Sequence, residues 1–160
     1  MKIAHVLTRF SPQRHPGGVE RVVEDLATRQ VEDHDVEIIC RNQFNDSLDE
    51  EYKGVKVKRA PCRNLSGFRT FSSILSMRKL IKESDADVFH IHDWSPFLNY
   101  LLAGEPKKSV LTHHNLSNFP KSKIQMYFSN KADATTFVSK WLKEQLYSNC
   151  KVIHNGIDVD

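Results

Sequence analysis

Lys2-Ile3-Ala4-His5-Val6-Leu7-Thr8, followed by Pro16-Gly17-Gly18-Val19-Glu20-Arg21-Val22-Val23-Glu24-Asp25-Leu26-Ala27, decides the fold of this chain. The first stretch reads as a strand. In the second, Val19, Val22, Val23, Leu26 and Ala27 recur at i, i+3, i+4, i+7 and i+8, the apolar stripe of a helix over residues 19–31. The same alternation continues downstream. Strands are predicted at 36–40, 54–59, 87–92, 108–112, 134–138 and 151–153. Helices are predicted at 69–83, with Phe71, Ile74, Leu75 and Ile81 on one face, at 96–103 before Gly104, at 121–130, and from Ser139 to about Tyr147. The polar, acidic stretch 41–53 reads as a surface loop. Strands separated by helices imply a parallel sheet with right-handed crossovers. The expected fold class is therefore α/β: a doubly wound, Rossmann-like sheet.

Composition narrows the function classes. A chain of 160 residues fits one domain, and at that size roughly 70% of the unfolded surface is buried. Apolar residues are 39% and charged residues 27%, an ordinary soluble balance. No apolar run reaches membrane-spanning length, and the N-terminus lacks the long apolar stretch of a signal peptide. A net charge of +3 is too mild to argue for nucleic acid. Cys40, Cys62 and Cys150 are odd in number and lack Cys-x-x-Cys spacing, which disfavours structural zinc and a disulfide framework and fits a cytoplasmic location.

In a doubly wound sheet, ligands collect at the carboxyl ends of the strands, so the residues after each strand matter most. Gly17-Gly18 opens a helix whose free N–H groups and dipole favour an anion such as a phosphate. The third glycine of Gly-x-Gly-x-x-Gly is missing, and a plain glycine start to a helix is the competing reading. After the 87–92 strand comes His90-Ile91-His92-Asp93. Period-two alternation puts His90 and His92 on one face. Two histidines and an aspartate suggest a metal, yet fewer than three ligands of fixed geometry is a weak case; a polar, substrate-facing strand end is the preferred reading. After the next strand comes Thr112-His113-His114-Asn115, and only one of the adjacent histidines can face a crevice. A histidine there can act as base, donor or orienter near neutral pH. Arg69, Arg78, Lys79 and Lys82 read first as the solvated face of a crossover helix and second as a surface for an anionic membrane.

Six motifs in order resemble the N-terminal domain of GT-B fold, family 4 retaining glycosyltransferases. They are Gly17-Gly18-Val19-Glu20, His34-Asp35-Val36, Asp87-Val88-Phe89-His90-Ile91-His92-Asp93, Thr112-His113-His114, Ala132-Asp133-Ala134 with Val138-Ser139, and Val152-Ile153-His154-Asn155-Gly156-Ile157-Asp158. Two departures occur: Asp33 stands where a glycine usually precedes His34, and His154 replaces the customary hinge proline.

The resemblance implies a division of labour. Gly17 and Gly18 would meet the donor's diphosphate, and His114 would be the catalytic histidine beside the transferred sugar. Asn155 and Gly156 would lie at the hinge near the cleft. His90, His92, Asp93, His113 and Asn115 are candidate acceptor-side residues. Residues 1–154 would form the acceptor-side domain and 155–160 the start of the hinge, with the C-terminal donor-binding domain absent from this chain. The implied activity is hexosyl transfer from a nucleotide-diphosphate sugar to a glycan, lipid-linked or small-molecule acceptor. No metal cofactor and no nucleic acid are expected, a peripheral contact with the cytoplasmic membrane face is allowed, and the domain alone should be inactive. The alternatives are a stand-alone glycan- or lipid-binding module, half of a two-chain transferase, or a GT-B-like nucleotide-sugar epimerase.

Overall fold

The computed structural model describes residues 1–14, 17–62, 69–115, 125–127, 130–145 and 150–154. The described strands are β1 (Lys2–Val6), β2 (Asp35–Arg41), β3 (Asp49–Tyr52), β4 (Val55–Ala60), β5 (Val88–His92), β6 (Lys108–His113), β7 (Ala134–Phe137) and β8 (Lys151–Val152). Between them run α1 (Gly18–Gln30), α2 (Arg69–Glu83), α3 (Trp94–Leu102) and α4 (Lys140–Gln145). They build one sheet in the order β3-β4-β2-β1-β5-β6-β7-β8. Every pairing is parallel except β3 with β4. The expected doubly wound α/β architecture is therefore present. From β1 the chain winds outward through β2 to β4, then returns to place β5 on the other side of β1. The strand order reverses between β1 and β5, and the crevice characteristic of such folds opens there.

Each face of the sheet has its own core. On one, Met77 and Ile81 of α2 and Phe97 and Tyr100 of α3 pack on Ala4, Val6, Ile39, Phe89, Ile91 and Leu111. On the other, Val23 and Ala27 of α1 cover Leu7, Val36, Ile38, Cys40, Val55 and Val57. Burying each large side chain contributes about 1.5–3 kcal/mol. The second face changes character from β1 toward β5 and β6, where it carries buried His5 and His92 and half-buried His90 and Thr112.

Acidic residues staple the opposite, N-terminal ends of the strands. Asp87 accepts the Lys2 backbone N–H at 2.8 Å. Asp133 accepts the Ser109 N–H at 2.8 Å and its hydroxyl at 3.2 Å. Both acids belong to motifs quoted above, and both satisfy a backbone donor at a strand start, a structural task.

The stretch 41–53 departs from the expected loop. Its last residues form β3, an edge strand of Asp49, Glu50, Glu51 and Tyr52 paired antiparallel with β4. These residues lack apolar alternation because they are exposed or half-buried at the sheet edge, where charge discourages intermolecular pairing. The two-residue turn is the missed signal: Lys53 and Gly54 take φ of 50° and 79°, the left-handed pair a tight hairpin needs. Residues 125–127 are helical; the rest of the helix expected at 121–130, apart from Asn130, lies outside the described residues, as do Asn155 and Gly156.

Gly54 yields a stability prediction. A Cβ there would meet Val31 methyls at 3.7 and 3.8 Å, ordinary contact, so only the positive φ opposes a side chain. Gly54→Ala should destabilise by about 1–2 kcal/mol and lower Tm by about 2–8 °C in a thermal melt. An unchanged Tm would contradict the turn assignment.

Candidate active site

Pairing of β1 with β5 sets His5 opposite His90. His92 follows two residues later on the same face, and β6 brings His114 to its side. Ring centroids of His90 and His92 are 4.3 Å apart, those of His5 and His90 5.2 Å, and those of His92 and His114 5.2 Å. His5 Nε2 meets Gln30 Oε1 at 2.7 Å, His5 Nδ1 meets His92 Nε2 at 3.1 Å, and His92 Nδ1 meets His114 Nε2 at 3.0 Å. A side branch joins His90 Nε2 to the Thr112 hydroxyl at 2.8 Å, and Thr112 to Thr136 at 2.8 Å.

Asp93 links this cluster to the strand ends. Its carboxylate accepts the backbone N–H groups of His114 at 2.8 Å and Asn115 at 3.3 Å. Its own N–H donates to the Thr112 carbonyl at 2.8 Å. The price of this clamp is backbone strain: Asp93 sits at φ 70°, ψ 164°, a conformation costing about 1–3 kcal/mol for a residue with a side chain. A crevice of about 170 Å³ lies beside it, lined by Leu7, Thr8, Arg9, Val19, Glu20, His92 and Asp93.

The start of α1 forms another wall, through Val19 and Glu20. Gly17 precedes α1 and Gly18 is its first residue. A Cβ on Gly17 would collide with the Glu20 carboxylate. Glu20 is buried and pairs with Arg9 Nε at 2.5 Å. An internal carboxylate thus stands next to the helix N-terminus, where a negative charge is favoured.

The electrostatics follow from burial. Desolvation lowers the His5 pKa to about 4 and, with the neighbouring His5 and His114, lowers His90 to about 3. Burial pushes His92 well below its ordinary value, with His90, His5 and His114 adding to the effect. His114 is also lowered by burial, against the opposing pull of Asp93. Burial raises Asp93, although the His114 and Asn115 N–H groups hold its charged form. The site is a set of neutral imidazoles beside one carboxylate.

His5, His90 and His92 each offer a ring nitrogen within 4.8 Å of one another, a geometry within reach of a transition metal. The chemistry of the donor set fits an ion poorly. All three ligands are neutral, two are buried and His90 is half-buried, no carboxylate belongs to the group, and an uncompensated charge there is costly. The hydrogen bonds above already account for the ring nitrogens of His5 and His92.

The candidate residues therefore divide. His90, His92, Asp93 and His114 come together, and Asn115 adjoins through its N–H. Gly17 and Gly18 do not line that crevice themselves; the next two residues of α1, Val19 and Glu20, do. His113 lies on the opposite face, fully buried, its ring stacked on Phe137 at 5.1 Å. Burial lowers its pKa to about 4. His5, Gln30, Arg9 and Glu20 belong to the neighbourhood without having been singled out as site residues. A polar residue at a central position of an otherwise apolar strand was the available signal for His5.

The family model for Glycosyltransferase Family 4 matches residues 16–160. The chain is 27% identical over 146 residues to the UDP-Gal:alpha-D-GlcNAc-diphosphoundecaprenol alpha-1,3-galactosyltransferase of Escherichia coli, covering 89% of this chain and 35% of that protein. It thus spans about a third of the curated relative it matches. Among solved structures, sucrose-phosphate synthase from Thermosynechococcus elongatus aligns with a TM-score of 0.75 at 13% identity, over 98% of this chain and 48% of that one. Anabaena HepE, solved in complex with UDP and glucose, aligns at 0.70 and 16% identity, over 99% and 45%. The lipopolysaccharide outer core galactosyltransferase WaaB aligns at 0.66 and 19% identity, over 100% and 47%. At such identities the structural likeness speaks for the fold alone.

The buried rings predict an acid-sensitive fold. Their folded pKa values lie below that of an unfolded histidine, so protons bind the unfolded chain first. Stability is full above about pH 6.5 and falls as pH drops toward 4, by about 1.4 kcal/mol per pH unit for each excluded proton. With His5, His90, His92 and His113 all depressed, urea unfolding between pH 6 and 5 should show uptake of about four protons. A slope of one proton or fewer would contradict the buried neutral cluster.

Proposed function

The chain belongs to glycosyltransferase family 4, and from that premise we propose that it is the acceptor-side half of a retaining glycosyltransferase. The reaction is transfer of a hexose from a nucleotide-diphosphate sugar to a glycan, lipid-linked or small-molecule acceptor. One observation carries the proposal: at the strand switch, Asp93 clamps His114 by its backbone N–H, and His92 holds the same residue by its ring. Both residues that hold His114, His92 and Asp93, line the crevice, which supports reading His114 as the imidazole that serves it.

The chemistry asks for this kind of wall. Loss of the diphosphate leaves an oxocarbenium-like sugar beside a developing anion, and preorganised donors aimed at that anion lower the barrier. The N-terminus of α1 at Gly17-Gly18 supplies such donors. An incoming diphosphate would compete with Glu20 for Arg9. His114 hydrogen-bonds the transferred sugar and orients it, and no protein nucleophile is needed if the acceptor arrives on the face the diphosphate leaves. Positioning then dominates the rate, and no metal enters the scheme. The remaining nucleotide contacts come from a second domain, in a longer protein or in a partner chain.

Two outcomes follow. This chain, mixed with UDP- and ADP-sugars and candidate acceptors, should neither hydrolyse nor transfer; clear turnover would show that it is a whole enzyme. In the complete transferase, His114→Ala should lower kcat by about 10²-fold or more while donor affinity, measured by calorimetry, changes little. Unchanged turnover would remove His114 from the site. If glycans or lipids bind this chain and no second domain restores transfer, the stand-alone binding module becomes the better reading.

A further inference from the structure

We propose that Gln30 sets which ring nitrogen of His114 carries the proton, through the directed chain Gln30–His5–His92–His114. Gln30, His5 and His92 are positioning residues in this scheme, acting through His114.

The argument rests on counting donors and acceptors. A neutral imidazole has one N–H and one bare nitrogen. His5 and His92 each use both ring nitrogens, at 2.7 and 3.1 Å and at 3.1 and 3.0 Å. Such a chain has a single polarity, and only two arrangements exist. A proton on Nε2 of His5 demands a proton on Nε2 of His92, and then on Nε2 of His114. The opposite choice reverses every link. The group at the α1 end selects between them. Gln30 Oε1 can only accept, so His5 must donate from Nε2. His114, when neutral, is then left with a bare Nδ1.

Burial keeps the chain intact. Protonating His5 or His92 would set N–H against N–H at one link, and desolvation holds both rings neutral near pH 7. The His90 branch carries no such direction. It ends on the Thr112 and Thr136 hydroxyls, whose protons rotate to suit either tautomer.

The functional consequence rests on the reading of His114 as the residue beside the sugar. A bare Nδ1 accepts a hydrogen bond from a sugar hydroxyl; the reversed tautomer would donate one instead. In hydrolases whose catalytic histidine is oriented by a carboxylate, holding the ring in the wrong tautomer costs about 10⁴ in kcat.

Long-range ¹H–¹⁵N correlation of the imidazoles, on this chain at pH 7.5, reads the tautomers directly. The expected result is a proton on Nε2 of His5, His92 and His114. A proton on Nδ1 of any of the three overturns the proposal. Gln30→Lys replaces an acceptor with a donor and should move the His114 proton to Nδ1, a population change of more than about tenfold for one hydrogen bond's worth of bias. If that variant does not fold, Gln30→Met removes the anchor, and both tautomers of His5 should become populated. His114 unchanged in the lysine variant, or His5 unchanged in the methionine variant, overturns the relay. The test is separate from catalysis: a tautomer that follows residue 30, together with full transfer by His114→Ala enzyme, would keep the relay and discard the catalytic reading.

Discussion

Desolvation of imidazole is the constraint on which the site depends. Three histidine rings lie side by side where β1 meets β5, in the middle of the sheet, with no room for charge. Each must stay neutral, and a neutral ring buried in protein needs partners for its nitrogens. Gln30 reaches in from the last turn of α1, His114 from the end of β6, and the Thr112 hydroxyl from its neighbouring strand. These contacts tie α1, β1, β5 and β6 together at the strand switch. The hydrogen bonds leave the rings behind the crevice wall few alternative arrangements.

The two ends of the sheet divide the work. At the N-terminal ends, Asp87 and Asp133 satisfy the first backbone donors of neighbouring strands. At the carboxyl ends, Asp93 performs a similar hydrogen-bonding task but does so from a strained backbone and beside a cavity. Strain at that point means the surrounding bonds over-determine its position. A residue held so firmly at a strand end can fix the backbone of His114 while the imidazole itself answers to His92.

Much of this was legible in the order of residues. Alternation placed His90 with His92 on one face and separated His113 from His114, because side chains of successive strand residues must point oppositely. The helix periodicity of α1 gave one layer; on α2 the expected face holds only in part, because Leu75 is exposed and Met77 joins Ile81 in the core. Other features were not legible. Asp49-Glu50-Glu51-Tyr52 becomes a strand by pairing with β4 across the Lys53-Gly54 turn, and its own side chains carry no apolar pattern to announce it. His5 looked like an ordinary member of a buried strand, and Gln30 like an ordinary polar residue near a helix end.

The sequence by itself determined the alternation of strands and helices, the faces of individual strands and the family, since these follow from local periodicity and short motifs. Only the tertiary structure decided which strands are neighbours. That choice puts His5 against His90, brings His114 to His92, and aims Gln30 at a ring twenty-five positions before it. The physical reason is that hydrogen bonds between imidazoles require separations near 3 Å between atoms far apart in the chain, and no local pattern encodes such distances.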